Sequence, residues 1–177
     1  RNLTLRRISD DEIATFDRIK RGLDFGFASH PTHYAVMHFD ATRRRLFIFY
    51  EIHKVGMSNR LLADAIKTEN KSNARVTADS AEPRTIAELR NLGVNVVGAR
   101  KGPDSVEYGI KFLQDLEEII IDPVRCPNTA REFEGSRTGT AAGRKVSRTG
   151  TTTASTPCGM RWKARSADRR SALNDRR

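Results

Sequence analysis

Two aspartates, Asp24 and Asp79, are candidates for a catalytic or metal-binding site. Asp24 lies in GLDFG, an apolar run whose glycines let a backbone or a ligand approach closely. Asp79 follows the strand-like run ARVTA. If the two strands are neighbours in one sheet, both carboxylates lie at one edge of it. Paired carboxylates suit hard divalent cations such as Mg²⁺ or Mn²⁺, which can hold the attacking and leaving oxygens of a phosphodiester.

Two glutamates are further candidates for such a site. Glu82 precedes Pro83 at the predicted start of a helix, where it could hold or support a cation or else stabilise the helix dipole. Glu51 ends a predicted strand and is open to the same two interpretations. An aspartate at the end of a strand is more often a turn or cap residue than a ligand. The structural role therefore stays open for Asp24 and Asp79 as well.

The other metal-binding residue types show no recognisable spacing. The two cysteines, Cys126 and Cys158, lack the repeated short spacing of a zinc site or a disulfide framework, which predicts a reducing, intracellular setting. The histidines have no helical HxxxH pair and are predicted to be surface or loop residues; they are His30, His33, His38 and His53.

The positive charge of the chain is concentrated at one end. The formal net charge is +10 over 177 residues, but residues 135–177 carry 11 Lys and Arg against 2 Asp. The first 134 residues are therefore nearly neutral, with 21 basic and 20 acidic side chains. No apolar run approaches the length of a membrane span, which predicts no membrane partner.

The periodicity predicts a mixed sheet with helices on its faces. Apolar runs near 21–27, 33–39 and 45–52 predict three antiparallel strands joined by short connections. Helices capped by Ser58 and opened by Pro83, and a third over DSVEYGIKFLQDLE, then alternate with strands in ARVTADS, VNVVGA and EIIID. In the first of these helices, Leu61, Leu62, Ala65 and Ile66 are predicted to share a face.

The composition divides the chain into three parts. Residues 1–20 are polar and are predicted to be a lead-in or linker, with a short helix opening at Ser9. Residues 21–134 hold the predicted strands and helices. Residues 135–177 are rich in Thr, Ser, Gly, Arg and Ala and are predicted to be a disordered basic tail. Because the chain begins with Arg1, we expect a fragment whose upstream part is missing.

Residues 5–134 resemble a known family. The segments GLDFGFASHPTHYAV, YEIHKVGMSNRLLADAIK, TADSAEPRTIAELRNLGVNVVGARKGPDSVEYGIKFLQ and NTAREFE are similar, in this order, to the nuclease domain of the large terminase subunit of tailed bacteriophages and prophages. The resemblance implies a ribonuclease H-like fold and a metal-dependent endonuclease that cuts concatemeric viral DNA during genome packaging. It further implies Mg²⁺ or Mn²⁺ in a two-metal site, with Asp24 and Asp79 as the first and second catalytic carboxylates.

The resemblance also implies partners and a further catalytic segment. The partners are double-stranded DNA, the small terminase subunit and the portal, in the cytoplasm of a bacterial host. The family's third ligand belongs to a segment resembling DxHxIDAxRYAL, and these residues do not contain it. They also lack the phosphate loop GxxxxGK[ST] of the family's upstream ATPase.

The basic tail contains the missing segment in another reading frame. Residues 151–166, TTTASTPCGMRWKARS, can be encoded so that reading one base earlier gives DDHSIDAVRYALEGEI. Only Met160 and Trp162 have fixed codons, and these fit Tyr and Leu of the shifted frame. We therefore expect that the frame shifts near Gly135, that residues 135–177 are out-of-frame, and that the nuclease is incomplete and impaired.

Two other functions remain open from the sequence alone. One is a non-catalytic DNA-binding module whose arginine-rich arm contacts phosphates, with an affinity that falls steeply with salt. The other follows from the similarity of GLDFG to the first phosphate motif of actin-like ATPases and sugar kinases. Those enzymes need a second Asp-Gly phosphate motif, and the sequence has none.

Overall fold

A seven-stranded mixed sheet organises the chain. The computed structural model describes residues 2–26, 30–99 and 105–138. The strands are β1 (Leu3–Leu5), β2 (Ile19–Asp24), β3 (Pro31–Asp40), β4 (Arg45–Val55), β5 (Val76–Ala78), β6 (Val96–Gly98) and β7 (Glu118–Ile121). The helices are α1 (Asp10–Ala14), α2 (Asn59–Glu69), α3 (Pro83–Asn91), α4 (Ser105–Gln114) and α5 (Pro127–Thr138). None of the described helices is long and apolar enough to cross a membrane.

The strand order is β1-β7-β4-β3-β2-β5-β6. Strands β2, β3 and β4 pair antiparallel, and all other neighbours pair parallel. This is the predicted mixed sheet, in which three antiparallel strands are followed by alternating helices and strands. Because β5 and β6 extend the sheet beyond β2, the strand carrying Asp24 is an internal strand with β5 beside it.

Two apolar layers cover the sheet, one on each face. On one face, the described side chains of α1, α2 and α3 pack over Leu23, Tyr34 and Phe49. On the other face, α4 and α5 pack over a second cluster that includes Ile48 and Ile121. Central strands are thus buried on both sides, which is the arrangement that parallel strands with crossover helices require.

Helices α1 and α2 begin at their predicted caps, but the buried face of α2 differs from the predicted one. Ser9 accepts a hydrogen bond from the Glu12 amide, and Ser58 accepts one from the Leu61 amide. In α2 the buried residues are Leu62, Ala63 and Ile66, whereas Leu61 is 58% exposed. The prediction that Leu61 shares the buried face is wrong, because the apolar stripe of α2 is rotated toward Ala63.

The N-terminal segment contributes more than the sequence predicts. Strand β1 pairs parallel with β7, and the side chain of Ile8 is fully buried. The buried carboxylate of Asp122, directly after β7, accepts a hydrogen bond from the Ile8 amide at 3.0 Å. This segment is therefore part of the sheet and of its core. The domain boundaries at residues 20 and 134 stay predictions, and most of the predicted tail lies outside the described residues.

Candidate nuclease site

Asp24 and Asp79 lie at the carboxyl ends of adjacent parallel strands. Leu23 of β2 is in register with Ala78 of β5, so the next residue of each strand is an aspartate. The Asp79 amide donates to the Leu23 carbonyl at 3.0 Å, which continues the pairing to the aspartates themselves. Asp24 is the last residue of β2, and Asp79 directly follows the last residue of β5. The predicted adjacency of the two strands is confirmed; the role of the aspartates as metal ligands stays a prediction.

Asp79 also shapes the turn that follows β5. Its Oδ1 accepts a hydrogen bond from the Ala81 amide at 3.0 Å, which is an Asx turn. A carboxylate has about four lone-pair sites, so this bond leaves room for a ligand role. Glu82 occupies the cap position of α3 without a side-chain cap bond to the helix backbone, and accepts a hydrogen bond from the Thr85 hydroxyl at 3.4 Å. Its predicted supporting role remains untested.

Glu51, on strand β4, caps the N-terminus of helix α5 with its side chain. Oε1 accepts from the amide and the side chain of Asn128, both at 2.8 Å. Oε2 accepts from the amide of Thr129 at 2.9 Å and from its hydroxyl at 2.6 Å. The first residue of the helix is Pro127, which has no amide hydrogen, so Glu51 binds the first two amides that need an acceptor. We call these four contacts the Glu51 cap.

The Glu51 cap changes the chemistry of the carboxyl group. Burial alone would raise the pKa of Glu51, but the hydrogen bonds from Thr129 and Asn128 outweigh it and lower the pKa. A carboxylate with four donors and a helix N-terminus against it is held as an anion by the protein itself. The described contacts therefore give Glu51 a positioning role for α5 and make it a poor candidate for a direct cation ligand.

Two histidines lie in the same cross-strand row as Asp24. Asp24 is in register with His33 of β3, and His33 is in register with His53 of β4. The Nδ1 atoms of the two histidines are 3.0 Å apart, and Nε2 of His33 lies 3.4 Å from the Thr129 hydroxyl. Burial lowers the pKa of His33 despite the attraction of Glu51.

The prediction that the histidines are surface or loop residues is therefore wrong for most of them. His33 and His38 are buried on β3 with 8% and 7% exposure, His53 is partly buried on β4, and His30 is exposed. The physical reason is that β3 is an internal strand with helices over both faces, so it has no solvent face. His38 stacks on Phe16 at 4.4 Å between ring centroids, far along β3 from Asp24.

Helix α5 carries a further carboxylate, Glu132, whose charge interacts with the charges of this row. The pKa of Glu132 is raised by burial, lowered by the proximity of His53, and raised again by Glu51 and Asp24. Glu132 itself is exposed on α5. Sequence reasoning missed it, although it follows Thr129 by three residues and so lies on the same side of the helix.

Gly26 allows the chain to fold back tightly after Asp24. A Cβ atom at this position would collide with the His30 carbonyl oxygen and lie 2.5 Å from the Thr32 nitrogen. The Gly26 amide donates to the Thr32 hydroxyl at 3.3 Å. The second glycine of GLDFG is thus needed for the contact between the end of β2 and the start of β3.

The side chains at this site provide some, but not all, of the ligands that a hard divalent cation needs. Asp24 and Asp79 provide carboxylate oxygens at one sheet edge, which is the ligand type that Mg²⁺ and Mn²⁺ prefer. Within residues 2–26, 30–99 and 105–138, however, no three His, Cys, Asp or Glu side chains converge on one point. The two aspartates therefore stay predicted ligands, and no third such side chain joins them in the described part of the chain.

Comparison with known proteins agrees with this architecture. Residues 24–140 match the family model described as "Terminase RNAseH like domain". The chain belongs to this terminase ribonuclease H-like family. The large terminase subunit of Bacillus phage SPP1 is 44% identical over 131 residues, and the PBSX phage terminase large subunit of Bacillus subtilis (strain 168) is 27% identical over 142 residues.

Solved structures show the terminase nuclease fold directly. The nuclease domain of the SPP1 large terminase g2p, crystallised with bound Mn, has a TM-score of 0.72 and 42% identity; the match covers 75% of this chain and 77% of that one. The nuclease domain of the P22 large terminase has a TM-score of 0.58 at 17% identity and covers 75% of this chain and 73% of that one, which supports the fold alone. The predicted ribonuclease H-like fold is confirmed.

The terminase relatives are much longer than the matched region. The match covers 72% of this chain but 31% of the SPP1 subunit, and 73% of this chain but 33% of the PBSX subunit. The similarity therefore concerns the nuclease region, and the activities of the whole subunits lie beyond it.

Proposed function

We propose that this chain acts as the nuclease domain of a large terminase subunit, a metal-dependent endonuclease that cuts concatemeric viral DNA during genome packaging in the bacterial cytoplasm. The observation that carries the proposal is the in-register pair Asp24 and Asp79 at the carboxyl ends of β2 and β5. The Mn in the SPP1 nuclease domain, at 42% identity, supports a divalent cation here. When bound, Mg²⁺ or Mn²⁺ would stabilise negative charge on the phosphodiester and activate water.

The residues of the chain then divide the work. Asp24 and Asp79, at the carboxyl ends of two adjacent parallel strands, would hold the cation. The Glu51 cap fixes the start of helix α5 against strand β4. The substrate is double-stranded DNA, and the small terminase subunit and the portal are the partners that the whole subunit would engage.

We propose further that cleavage by this chain is slow. A two-metal displacement needs a ligand that fixes the second ion, and the family's third segment is present in residues 151–166 only in the shifted frame. Two carboxylates alone would hold one cation weakly. The DNA-binding module with an arginine-rich arm is the outcome that would replace this proposal.

A plasmid-nicking assay tests the function. We expect supercoiled DNA to be cut slowly with Mn²⁺ or Mg²⁺ and not with EDTA, and Asp24→Asn and Asp79→Asn each to abolish the cutting. Asp64→Asn is the matched control, because Asp64 is an exposed carboxylate of α2 paired with Lys67. The nuclease function would be contradicted if DNA binding weakens steeply with salt and the chain shows no metal-dependent cutting that Asp24→Asn abolishes. That result would favour the DNA-binding module.

A further inference from the structure

Strands β2, β4 and β5 end at the sheet edge that carries Asp24 and Asp79. They run in the same direction, because β2 and β4 each pair antiparallel with β3, and β5 pairs parallel with β2. Helices α2 and α3 begin at this edge as well, after the loops that leave β4 and β5, and both pack on the same face of the sheet. We call it the carboxyl edge.

The carboxyl edge carries exposed cations. Lys54 lies near the end of β4, Arg60 in the first turn of α2 and Arg84 in the first turn of α3, and all three are exposed. Their side chains form no hydrogen bond or ion pair with the described residues. Elsewhere exposed cations are often paired within the protein, as Lys67 is with Asp64. Charges that the fold leaves without a counter-ion are available to a ligand.

Contacts between α2 and α3 place Arg60 and Arg84 at one corner of the molecule. Nδ2 of Asn59 donates to Oε2 of Glu88 at 2.8 Å. Arg60 directly follows Asn59, and Arg84 lies one turn before Glu88 on the same side of α3. Lys54 belongs to the strand from which the chain enters α2. The three cations therefore follow the carboxyl edge from β4 to the start of α3.

The spacing along this edge suits contacts with a duplex rather than with a reacting atom. Neighbouring strands are about 4.8 Å apart, so Lys54 on β4 lies about 10 Å across the sheet from Asp24 on β2. A cation at that distance does not contact a phosphate held at Asp24. Double-stranded DNA, however, carries about one negative charge per 1.7 Å of its axis, so the same duplex presents other phosphates to this edge.

The carboxylates of the edge give these cations a further role. Asp24, Asp79 and Glu82 all lie there, and their negative charges repel a phosphate backbone. Cations on the same edge offset this repulsion and attract a polyanion toward it. The charge pattern therefore fits an anionic partner that approaches the edge as a whole.

We propose that Lys54, Arg60 and Arg84 form a docking surface for double-stranded DNA, which holds phosphates beside the one that is cleaved. Such contacts fix the position of the duplex and carry no sequence information. The inference rests on the proposed nuclease function, because it places the substrate of that function on the carboxyl edge. It assigns the three residues to binding and not to the reaction.

The salt dependence of DNA binding tests the surface without cleavage. The edge variant is the full chain with Lys54→Gln, Arg60→Gln and Arg84→Gln, and its binding to a short duplex is measured in EDTA. Three lost phosphate contacts should make the slope of log affinity against log salt shallower by about 3, and should lower the affinity at low salt about tenfold or more. The charge-conserving variant with Lys54→Arg, Arg60→Lys and Arg84→Lys should keep the slope.

The opposite edge of the sheet offers a matched control. Arg18 precedes β2, and Lys71 and Arg75 precede β5; all three are exposed, and their side chains form no hydrogen bond or ion pair with the described residues. Replacing them by Gln removes the same charge, and we expect a slope close to that of the unmodified chain. Equal losses in the two variants, or no loss in the edge variant, would refute the docking surface.

Lysine acetylation of the unmodified chain gives a readout that needs no variant. Lys54 and Lys71 are both exposed, on opposite edges of the sheet. Excess duplex DNA should slow the acetylation of Lys54 severalfold and leave that of Lys71 unchanged, as measured by mass spectrometry. Protection of Lys71 as strong as that of Lys54, or no protection of Lys54, would overturn the proposal even if the edge variant fails to fold.

Single-turnover cutting, with Asp24→Asn in parallel, separates the two proposals. The edge variant should raise half-saturation by DNA about tenfold or more and leave the maximal rate unchanged, whereas Asp24→Asn should abolish cutting and keep DNA binding. If the edge variant binds and cuts like the unmodified chain while Asp24→Asn is inactive, the docking surface is refuted and the nuclease function stands. If the unmodified chain cuts no faster than Asp24→Asn while DNA still protects Lys54, the nuclease function is refuted and the docking surface stands.

Discussion

At the residue scale, the pattern of strands predicted that Asp24 and Asp79 lie on neighbouring strands, but it did not predict the residues around them. Asp24 and Asp79 could be placed together because each ends a strand, and parallel neighbours bring such ends to one edge. The Glu51 cap and the histidine pair could not, since they depend on where α5 crosses the sheet. A signal for His33 did exist: it lies inside the apolar run of an internal strand, where both faces are covered.

The Glu51 cap should make a measurable contribution to stability. Glu51→Ala leaves two helix amides, the Asn128 side chain and the Thr129 hydroxyl without their acceptor, and we expect a loss of about 2 kcal/mol in the free energy of unfolding. Glu51→Gln keeps one acceptor oxygen and should lose about half as much. Urea denaturation measures both. An Ala variant as stable as the unmodified chain would show that α5 is held by apolar packing alone.

The same carboxyl group gives a pH dependence with a defined sign. Its pKa is lower in the folded protein than in an unfolded chain, where the pKa of Glu is about 4.3. The stabilisation is therefore present above that pH and is lost as the pH falls through the lowered folded value. We expect the acid limb of the stability curve to be less steep for Glu51→Gln than for the unmodified chain. Superimposable acid limbs would contradict the lowered pKa.

The close approach at Gly26 predicts a second residue-scale effect. Gly26→Ala would force its Cβ against the His30 carbonyl and the Thr32 amide, and we expect a loss of about 2 kcal/mol or more. Gly109→Ala is the matched control, because among the described residues nothing beyond the backbone of its own helix lies within 4 Å of a Cβ at this position. It should stabilise the protein by up to about 1 kcal/mol. Equal effects of the two substitutions would contradict the tight contact after Asp24.

At the scale of elements, periodicity and capping residues were sufficient for the long segments and insufficient for the shortest. Ser9, Ser58 and Pro83 mark helix starts because a cap or an N1 proline acts locally. Strand β1 has three residues, and its pairing with β7 joins segments more than a hundred residues apart. Nothing local in Leu3–Leu5 indicates that distant partner, so the strand could not be predicted.

The rotation of α2 can be tested with two adjacent leucines. Leu62 is 1% exposed and belongs to the core, whereas Leu61 is 58% exposed. We expect Leu62→Ala to cost about 3 kcal/mol and Leu61→Ala less than about 0.5 kcal/mol in the free energy of unfolding. Equal losses would instead support the sequence prediction that the two leucines share a buried face.

At the scale of the whole molecule, the nearly neutral first 134 residues and the basic remainder follow different rules. The former carry the sheet, its two apolar layers and the candidate site. The composition of the latter predicts no face that could be buried, and it offers many Lys and Arg cleavage points. Composition, unlike a side-chain contact, needs no knowledge of the fold, so it can predict this division, and the boundary at residue 134 stays a prediction.

The final prediction concerns the reading frame that encodes residues 135–177. We expect the single-base change that restores the shifted frame after Glu134 to return the segment DDHSIDAVRYALEGEI and to remove most of the positive charge of the tail. The added segment would supply the third ligand that a two-metal site needs, together with apolar side chains for a closing helix. The restored protein should have a higher thermal midpoint and should cut double-stranded DNA faster with Mn²⁺ or Mg²⁺.

Asp24→Asn in the restored protein is the control for that gain. Because the extra activity depends on the site at β2 and β5, this substitution should abolish the activity while leaving the higher thermal midpoint in place. The salt dependence of DNA binding tests the alternative of a DNA-binding module. Because the restored protein loses the arginine-rich arm, its DNA binding should be less sensitive to salt than that of the present chain. If the restored protein is neither more stable nor more active, and the present chain already cuts DNA through Asp24, residues 135–177 are functional as written and the frameshift inference is wrong.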